Sequence, residues 1–203
     1  LPLGTKAPRF ALPNVLNDTS VQIEENGSPA HLVAFICNHC PYVIHLLDHL
    51  TEYFNQLVDD GISVYLVSSN DIDKYPADSP DKMRDLATEY GFRFPYLFDD
   101  DQRIAKAYQA ACTPDFFIFD HELSLFYRGR YDGSRPGNSM PVTGNDLKEA
   151  FALGTRLWVF DKLRHDPQAP QAYGATITYD LDVDRNREDA PSQAKQIQED
   201  MHA

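Results

Sequence analysis

The chain has 203 residues, 42% of them hydrophobic, with 31 Asp and Glu against 18 Lys and Arg, a formal charge of −13. That balance repels phosphate backbones and anionic lipid surfaces, which argues against nucleic acid and membrane as partners. No apolar run approaches the ~20 residues needed to cross a bilayer, and three cysteines are too few for a secreted disulfide scaffold.

The first residues, Leu1-Pro2-Leu3-Gly4-Thr5-Lys6, lack the charged-then-apolar layout of a signal peptide. With the low cysteine count, this gives the expectation of a cytoplasmic protein, a removed leader being left open by the missing initiator Met.

Taken in chain order, Pro8–Pro13, the turn at Asn17-Asp18 and the alternating Val21–Glu24 read as an extended N-terminal segment with a hairpin. His31–Ile36 is a continuous apolar run of strand length that stops at Cys37, as expected of a central strand covered on both faces. Val43, Leu46, Leu47, Leu50, Phe54 and Leu57 then recur at helical spacing up to Gly61, a helix stop. Ile62–Val67 is the second strand, and strand, helix and strand at this spacing predict a right-handed unit with parallel strands.

Ser79-Pro80 opens a helix through Tyr90, with Ser79 as N-cap and Pro80 at the first helical position. Phe94–Phe98 leads into a further helix around Gln102–Ala110. Phe116–Phe119 and Leu123–Arg128, joined by a link too short for a crossover, predict an antiparallel hairpin. A Gly-, Ser- and Pro-rich loop, Asp132–Pro141, precedes a last helix over Asn145–Arg164. The expected organisation is one domain over 1–164 and a polar, acidic C-terminal tail over 165–203.

The C-x-x-C, Cys37-Asn38-His39-Cys40, points to redox or metal chemistry. Dithiol exchange needs one thiolate to attack a disulfide and a second thiol near enough to resolve the mixed disulfide. Placement in the first turn of a helix would bring the two sulfurs together, and the unpaired N–H groups and positive dipole end there would depress the pKa of Cys37. Pro41 agrees with a helix start. His39 between the cysteines would stabilise the thiolate further, which predicts an oxidising potential within the ~−270 to −120 mV spanned by such centres. A zinc site, with His39 or His45 as nitrogen ligand, is the lesser reading because no second C-x-x-C or H-x-x-H occurs. Neither metal nor cofactor is expected.

A series of motifs in order carries a resemblance: Gly4–Phe10, Phe35-Ile36-Cys37-Asn38-His39-Cys40-Pro41-Tyr42-Val43, Ser69-Asn70-Asp71, Phe94–Asp99, Cys112-Thr113-Pro114-Asp115-Phe116-Phe117 and Ser134–Asn138. The chain resembles the thioredoxin-like superfamily, and within it the bacterial AhpC/TSA-type branch with a Cys-Asn-His-Cys-Pro-Tyr-Val run. The resemblance implies an α/β, thioredoxin-like three-layer fold, a mixed central sheet flanked by helices, with Thr113-Pro114 as a cis peptide bond facing the dithiol. Cys37, Cys40, His39 and Pro114 become the expected catalytic residues, with Asn38 and Thr113 as substrate contacts, since the backbone of Thr113 would offer an edge to an extended segment.

Two departures stand out. Thioredoxins proper place a buried acid on the strand before the dithiol, where this chain offers only Val33, Ala34 and Phe35, so proton handling must fall to His39, another group or water. Gly174–Tyr179 lacks the cysteine and tryptophan that many relatives carry late in the chain. Cys112 is a candidate third redox thiol, although core packing is the simpler account. His45 is expected on the helix surface, and Arg128 and Arg130 are expected solvated or paired with carboxylates. Ser134–Asn138 reads as a surface loop.

The function these residues predict is thiol:disulfide oxidoreductase. Its expected partners are protein or small-molecule disulfides and thiols, and a reductant that recycles the dithiol. A peroxiredoxin-like hydroperoxide reductase with antioxidant activity is one alternative, but its Pro-x-x-x-Thr/Ser-x-x-Cys run would place Val33 and Cys37 at the Pro and Thr positions. A non-catalytic binding module is the other.

Overall fold

The structure, a computed structural model, describes residues 1–154. In chain order the elements are β1 (Ala11–Pro13), β2 (Ser20–Gln22), β3 (Ala30–Phe35), α1 (Pro41–Asp59), β4 (Ser63–Ser68), a 3-10 turn (Pro76–Asp78), α2 (Pro80–Tyr90), β5 (Tyr96–Phe98), α3 (Arg103–Tyr108), β6 (Asp115–Asp120) and β7 (Leu125–Gly129). A last helix, α4, begins at residue 145 and continues to 154. The rest of the helix expected to Arg164, the Gly174–Tyr179 segment and the acidic tail lie outside the described residues.

Strands β5-β4-β3-β6-β7 form one mixed sheet. β3, β4 and β5 are parallel, β6 runs antiparallel to β3, and β7 antiparallel to β6. The period-2 alternation of a strand divides their side chains between two faces. Leu32 and Ala34 of β3, Leu66 of β4 and Phe116 and Ile118 of β6 pack with Val43, Leu47, Leu50 and Phe54 of α1, Met83 of α2 and Leu147 and Phe151 of α4. Val33 and Phe35, Val67, and Phe117 and Phe119 turn the other way, onto Tyr108 of α3 and onto Ala7, Phe10 and Leu12 of the N-terminal segment. The expected three layers are the observed ones, and the continuous apolar run of β3 is explained by its burial on both faces.

α1 begins with Pro41 at its first position and ends where the sequence predicts. Gly61 has φ of +82°, the Ile62 N–H donates to the Leu57 carbonyl at 2.9 Å and the Gly61 N–H to that of Val58 at 3.1 Å. This pair of bonds satisfies carbonyls the helix leaves open and needs a left-handed residue, which glycine supplies without steric cost. Ser79 is the N-cap of α2, but its side chain makes no capping hydrogen bond. No helix among the described residues is long and apolar enough to cross a membrane.

His31 is a polar residue inside this core. It is fully buried, its ring stacks near that of Tyr65, and neither ring nitrogen has a hydrogen-bond partner among the described residues. Burial disfavours the imidazolium and brings the pKa from 6.5 down to about 4, with the Asp120 charge opposing. The unfolded chain therefore takes up a proton as pH falls through 6.5, while the folded protein does not do so until about pH 4. Stability should fall across that window and level off below it, by about 3 kcal/mol from this group. Urea denaturation of the wild-type protein and His31→Leu between these pH values checks this. Equal pH slopes in the two would refute it.

Candidate functional site

The site forms where the C-terminal ends of the parallel strands meet the start of α1, a general location for sites in α/β sheets. After β3, the chain crosses Ile36 and makes a turn through Cys37, Asn38 and His39 before α1 starts at Pro41. Cys40, not Cys37, is the N-cap, and its carbonyl accepts the N–H groups of Val43 and Ile44, each at 3.0 Å. The expected first-turn placement is corrected accordingly: Cys37 lies ahead of the helix.

Across from this turn, Thr113-Pro114 is a cis peptide bond. Both sulfurs meet Thr113. Cys37 Sγ lies 3.3 Å from its hydroxyl oxygen, and the Cys40 thiol donates to its carbonyl at 3.2 Å. All three cysteines are free thiols. Cys37 is 2% exposed, whereas Cys40 is only partly buried.

The turn is held from outside by a residue that sequence reasoning missed. Asp78, the last residue of the 3-10 turn, has 0% exposure. Its Oδ1 accepts the backbone N–H of Asn38 at 2.7 Å and that of His39 at 3.3 Å. Its Oδ2 accepts the side-chain amide of Asn70 at 2.8 Å and lies 2.6 Å from His39 Nδ1. The buried acid absent from β3 is thus supplied by the loop after β4.

Asn38 is fastened on both sides, donating through its amide to the Ala77 carbonyl at 2.9 Å and accepting the Tyr96 hydroxyl at 3.0 Å. These bonds occupy the amide that was expected to contact substrate. The His39 ring stacks on Tyr75 with centroids 4.3 Å apart, and the Lys74 ammonium lies 5.2 Å from the Tyr75 centroid.

Electrostatics reverse the expected activation of Cys37. Burial pushes its pKa up and the Asp78 charge adds to this, while the Thr113 hydroxyl and the Cys40 backbone oppose it. Helix-end fields fall off within the first turn, and Cys37 stands outside that turn, so desolvation wins. The support for an oxidising potential, which rested on a depressed thiol pKa, goes with it.

The expectation for Cys112 is also revised. Cys112 is exposed, so core packing does not account for it; its sulfur is 4.0 Å from the Pro114 carbonyl, and partial desolvation by its neighbours and the Asp115 charge raise its pKa. His45 lies on α1 as expected, partly buried, with its ring 2.7 Å from the Ser134 hydroxyl. Ser134 is itself buried. Arg128 pairs with Asp115 at 3.1 Å and Arg130 with Asp146 at 2.6 Å, the carboxylate pairing expected of them.

One atom each from Cys37, His39 and Asp78 lie within 4.8 Å of one another, a sulfur, nitrogen and oxygen set that could take a divalent metal ion. The four donors already on the Asp78 carboxylate fit a hydrogen-bonded core equally well.

Residues 3–128 match the AhpC/TSA family. The chain is 47% identical to an uncharacterized conserved protein from Geobacillus kaustophilus, with 76% of this chain and 82% of that one covered and a TM-score of 0.74. It is 40% identical to a hypothetical protein from Sinorhizobium meliloti 1021, covering 77% and 85%, again with a TM-score of 0.74. The thioredoxin domain of a thiol-disulfide oxidoreductase from Bacteroides vulgatus is similar in fold, with 18% identity, coverage of 73% and 97%, and a TM-score of 0.56. No functionally curated protein matches the chain.

The geometry predicts the titration of Cys37. Its thiolate absorbance should rise at a pH above that of an ordinary free thiol, and Thr113→Val should move the midpoint higher still by removing the opposing hydroxyl. A midpoint below the ordinary value, or one indifferent to Thr113→Val, contradicts this account.

Proposed function

Because the chain belongs to the AhpC/TSA family, we propose that it is a thiol:disulfide oxidoreductase whose redox centre is the Cys37–Cys40 dithiol. The observation that carries the reading is the convergence of both sulfurs on Thr113, one on its hydroxyl and one on its carbonyl. Two free thiols so placed have what exchange requires, one sulfur to enter a mixed disulfide and another close by to resolve it.

In the forward step the Cys37 thiol loses its proton, the thiolate attacks one sulfur of a substrate disulfide, and the substrate S–S bond breaks. The first leaving sulfur departs as a thiolate and is protonated. Cys40 then loses its proton and attacks Cys37 Sγ, releasing the second substrate thiolate and forming the Cys37–Cys40 disulfide. Two electrons pass from the dithiol to the substrate disulfide, and the protons of the two cysteines balance those taken by the two products. Pro114 and the Thr113 backbone form the wall against which an extended substrate would lie, and His39 serves proton handling.

The substrates in this reading are protein or small-molecule disulfides, and a reducing partner regenerates the dithiol. A cytoplasmic location suits it, since that compartment keeps thiols reduced.

One observation favours a second order of attack. Cys40 is the more exposed sulfur, and access bears on thiol–disulfide exchange as much as thiolate content does. A hydroperoxide reductase draws less support. Such a reaction calls for a cationic group at the attacking sulfur, and Arg128 directs one guanidinium nitrogen to both Asp115 and the Gln109 carbonyl.

Cys37→Ser and Cys40→Ser should each lower turnover in an insulin-reduction assay by about 100-fold or more. The variant that keeps the attacking sulfur should accumulate a mixed disulfide with a model substrate: Cys40→Ser if Cys37 attacks, Cys37→Ser if Cys40 does. Wild-type-like turnover in both variants, or rapid hydrogen peroxide consumption without disulfide exchange, would sink the assignment.

A further inference from the structure

The proton released by a buried thiol needs a destination, and no acid lies on β3 to receive it. The Thr113 hydroxyl lies 3.3 Å from Cys37 Sγ, the charges of Asp78 and Cys40 act on that sulfur, Tyr96 of β5 is electrostatically coupled to it, and His39 and Asp78 have ligand atoms within 4.8 Å of it. Tyr75 and Lys74 stand behind the His39 ring. Tyr96 is a poor proton acceptor, because burial pushes its hydroxyl pKa well up and keeps it protonated. Tyr75 is engaged face to face with the His39 ring.

Asp78 and His39 differ from these in being joined to each other and to the turn. A carboxylate 2.6 Å from Nδ1 fixes a histidine tautomer, with Nδ1 carrying the proton and Nε2 left as the acceptor. The same carboxylate anchors the two backbone N–H groups between the cysteines. The Cys37 sulfur, one ring nitrogen of His39 and a carboxylate oxygen of Asp78 lie within 4.8 Å of one another, so the sulfur and the pair are within the span of one bridging water. The carboxylate is fully buried while the His39 side chain is 34% exposed, so a proton reaching the ring has a route onward to solvent.

We propose that Asp78 and His39 form the proton-accepting pair of the dithiol, with Asp78 as the positioning residue that orients the His39 ring. The proposal rests on the exchange reading given above. In the attacking step the Cys37 S–H bond breaks, its proton passes to the Asp78–His39 pair, with the ring Nε2 as its final acceptor, and the electron pair stays on sulfur to form the new S–S bond. The leaving thiolate takes that proton from the imidazolium, directly or relayed through solvent. The ring, held throughout by the Asp78 carboxylate, is then neutral for the second step, in which Cys40 gives up its proton. No oxidant beyond the substrate disulfide is needed.

Asp78→Asn tests this with two readouts of opposite sense. Asparagine keeps an oxygen for the backbone N–H groups of Asn38 and His39 but carries no charge. Disulfide exchange should slow by about 100-fold, in the range general acid–base groups contribute. The Cys37 thiol should meanwhile titrate lower than in the wild type, because the negative neighbour that raises it is gone. A site that merely loosened would expose the sulfur and speed its exchange as its pKa fell, so slower exchange with a lower pKa is the signature of the pair.

An unchanged exchange rate, or an unmoved Cys37 titration, overturns the proposal. Should Asp78→Asn fail to fold, His39→Gln decides, since that ring is partly exposed. It should slow exchange by about 10-fold or more and remove one ionisation from the pH–rate profile, and a wild-type profile overturns the pair. Wild-type exchange that persists in these variants refutes the pair alone, whereas absence of cysteine-dependent exchange in the wild type removes the functional reading and the pair together.

Discussion

The site depends on one buried carboxylate. Two cysteines three residues apart have no fixed relation until the backbone between them is held, and here Asp78 holds it by accepting both intervening N–H groups. A buried carboxylate is costly when unsatisfied and specific when satisfied. Asp78 takes four donors from two segments: two backbone N–H groups and the His39 ring from the turn after β3, and the Asn70 amide after β4. The direction of Cys37, the tautomer of His39 and the placement of the β4 loop are therefore set together.

The same device recurs along this edge of the sheet. Asp99, buried just after β5, accepts the Ser69 hydroxyl and the N–H groups of Ile104 and Ala105 at the start of α3. Asp132, after β7, accepts the N–H groups of Ser134, Thr143 and Gly144. Burial works against its charge, but these donors hold its carboxyl below the ordinary value. Irregular backbone that leaves a sheet and still lies partly inside must satisfy its N–H groups somewhere. In this chain, side-chain carboxylates do so at three loops, which keeps the rim of the site rigid without regular structure.

This explains what could and could not be read from the amino acids. The sheet and helices were legible because their signal is local: alternate residues of β3, β4 and β6 sort to two faces, and the apolar stripe from Val43 to Leu57 has helical period. The dithiol was legible from spacing, and the cis Thr113-Pro114 pair from resemblance. Asp78 was not, because its partners are about forty positions away and an acid just before Ser79-Pro80 looks like ordinary decoration of a helix start. The only pointer was Asn70 in the Ser69-Asn70-Asp71 motif, whose amide meets Asp78. Cys112 was misjudged for a different reason, since the general tendency of free cysteine toward burial says nothing about a residue in the loop before the cis bond.

The largest revision concerns which force governs Cys37. A helix N-terminus lowers a thiol pKa when the sulfur reaches the open N–H groups, but the turn that Asp78 anchors leaves Cys37 ahead of the helix, where the opposing Cys40 N–H is outweighed. Desolvation then dominates, and the adjacent carboxylate adds to it. A thiol protected in this way is not reactive by standing ionised. In the exchange reaction proposed above, its reactivity would be produced when substrate arrives, by moving a proton rather than by storing an anion. In the proton-accepting pair proposed above, the carboxylate that raises the thiol pKa also holds the imidazole that would take its proton, so protection and activation would come from the same buried group.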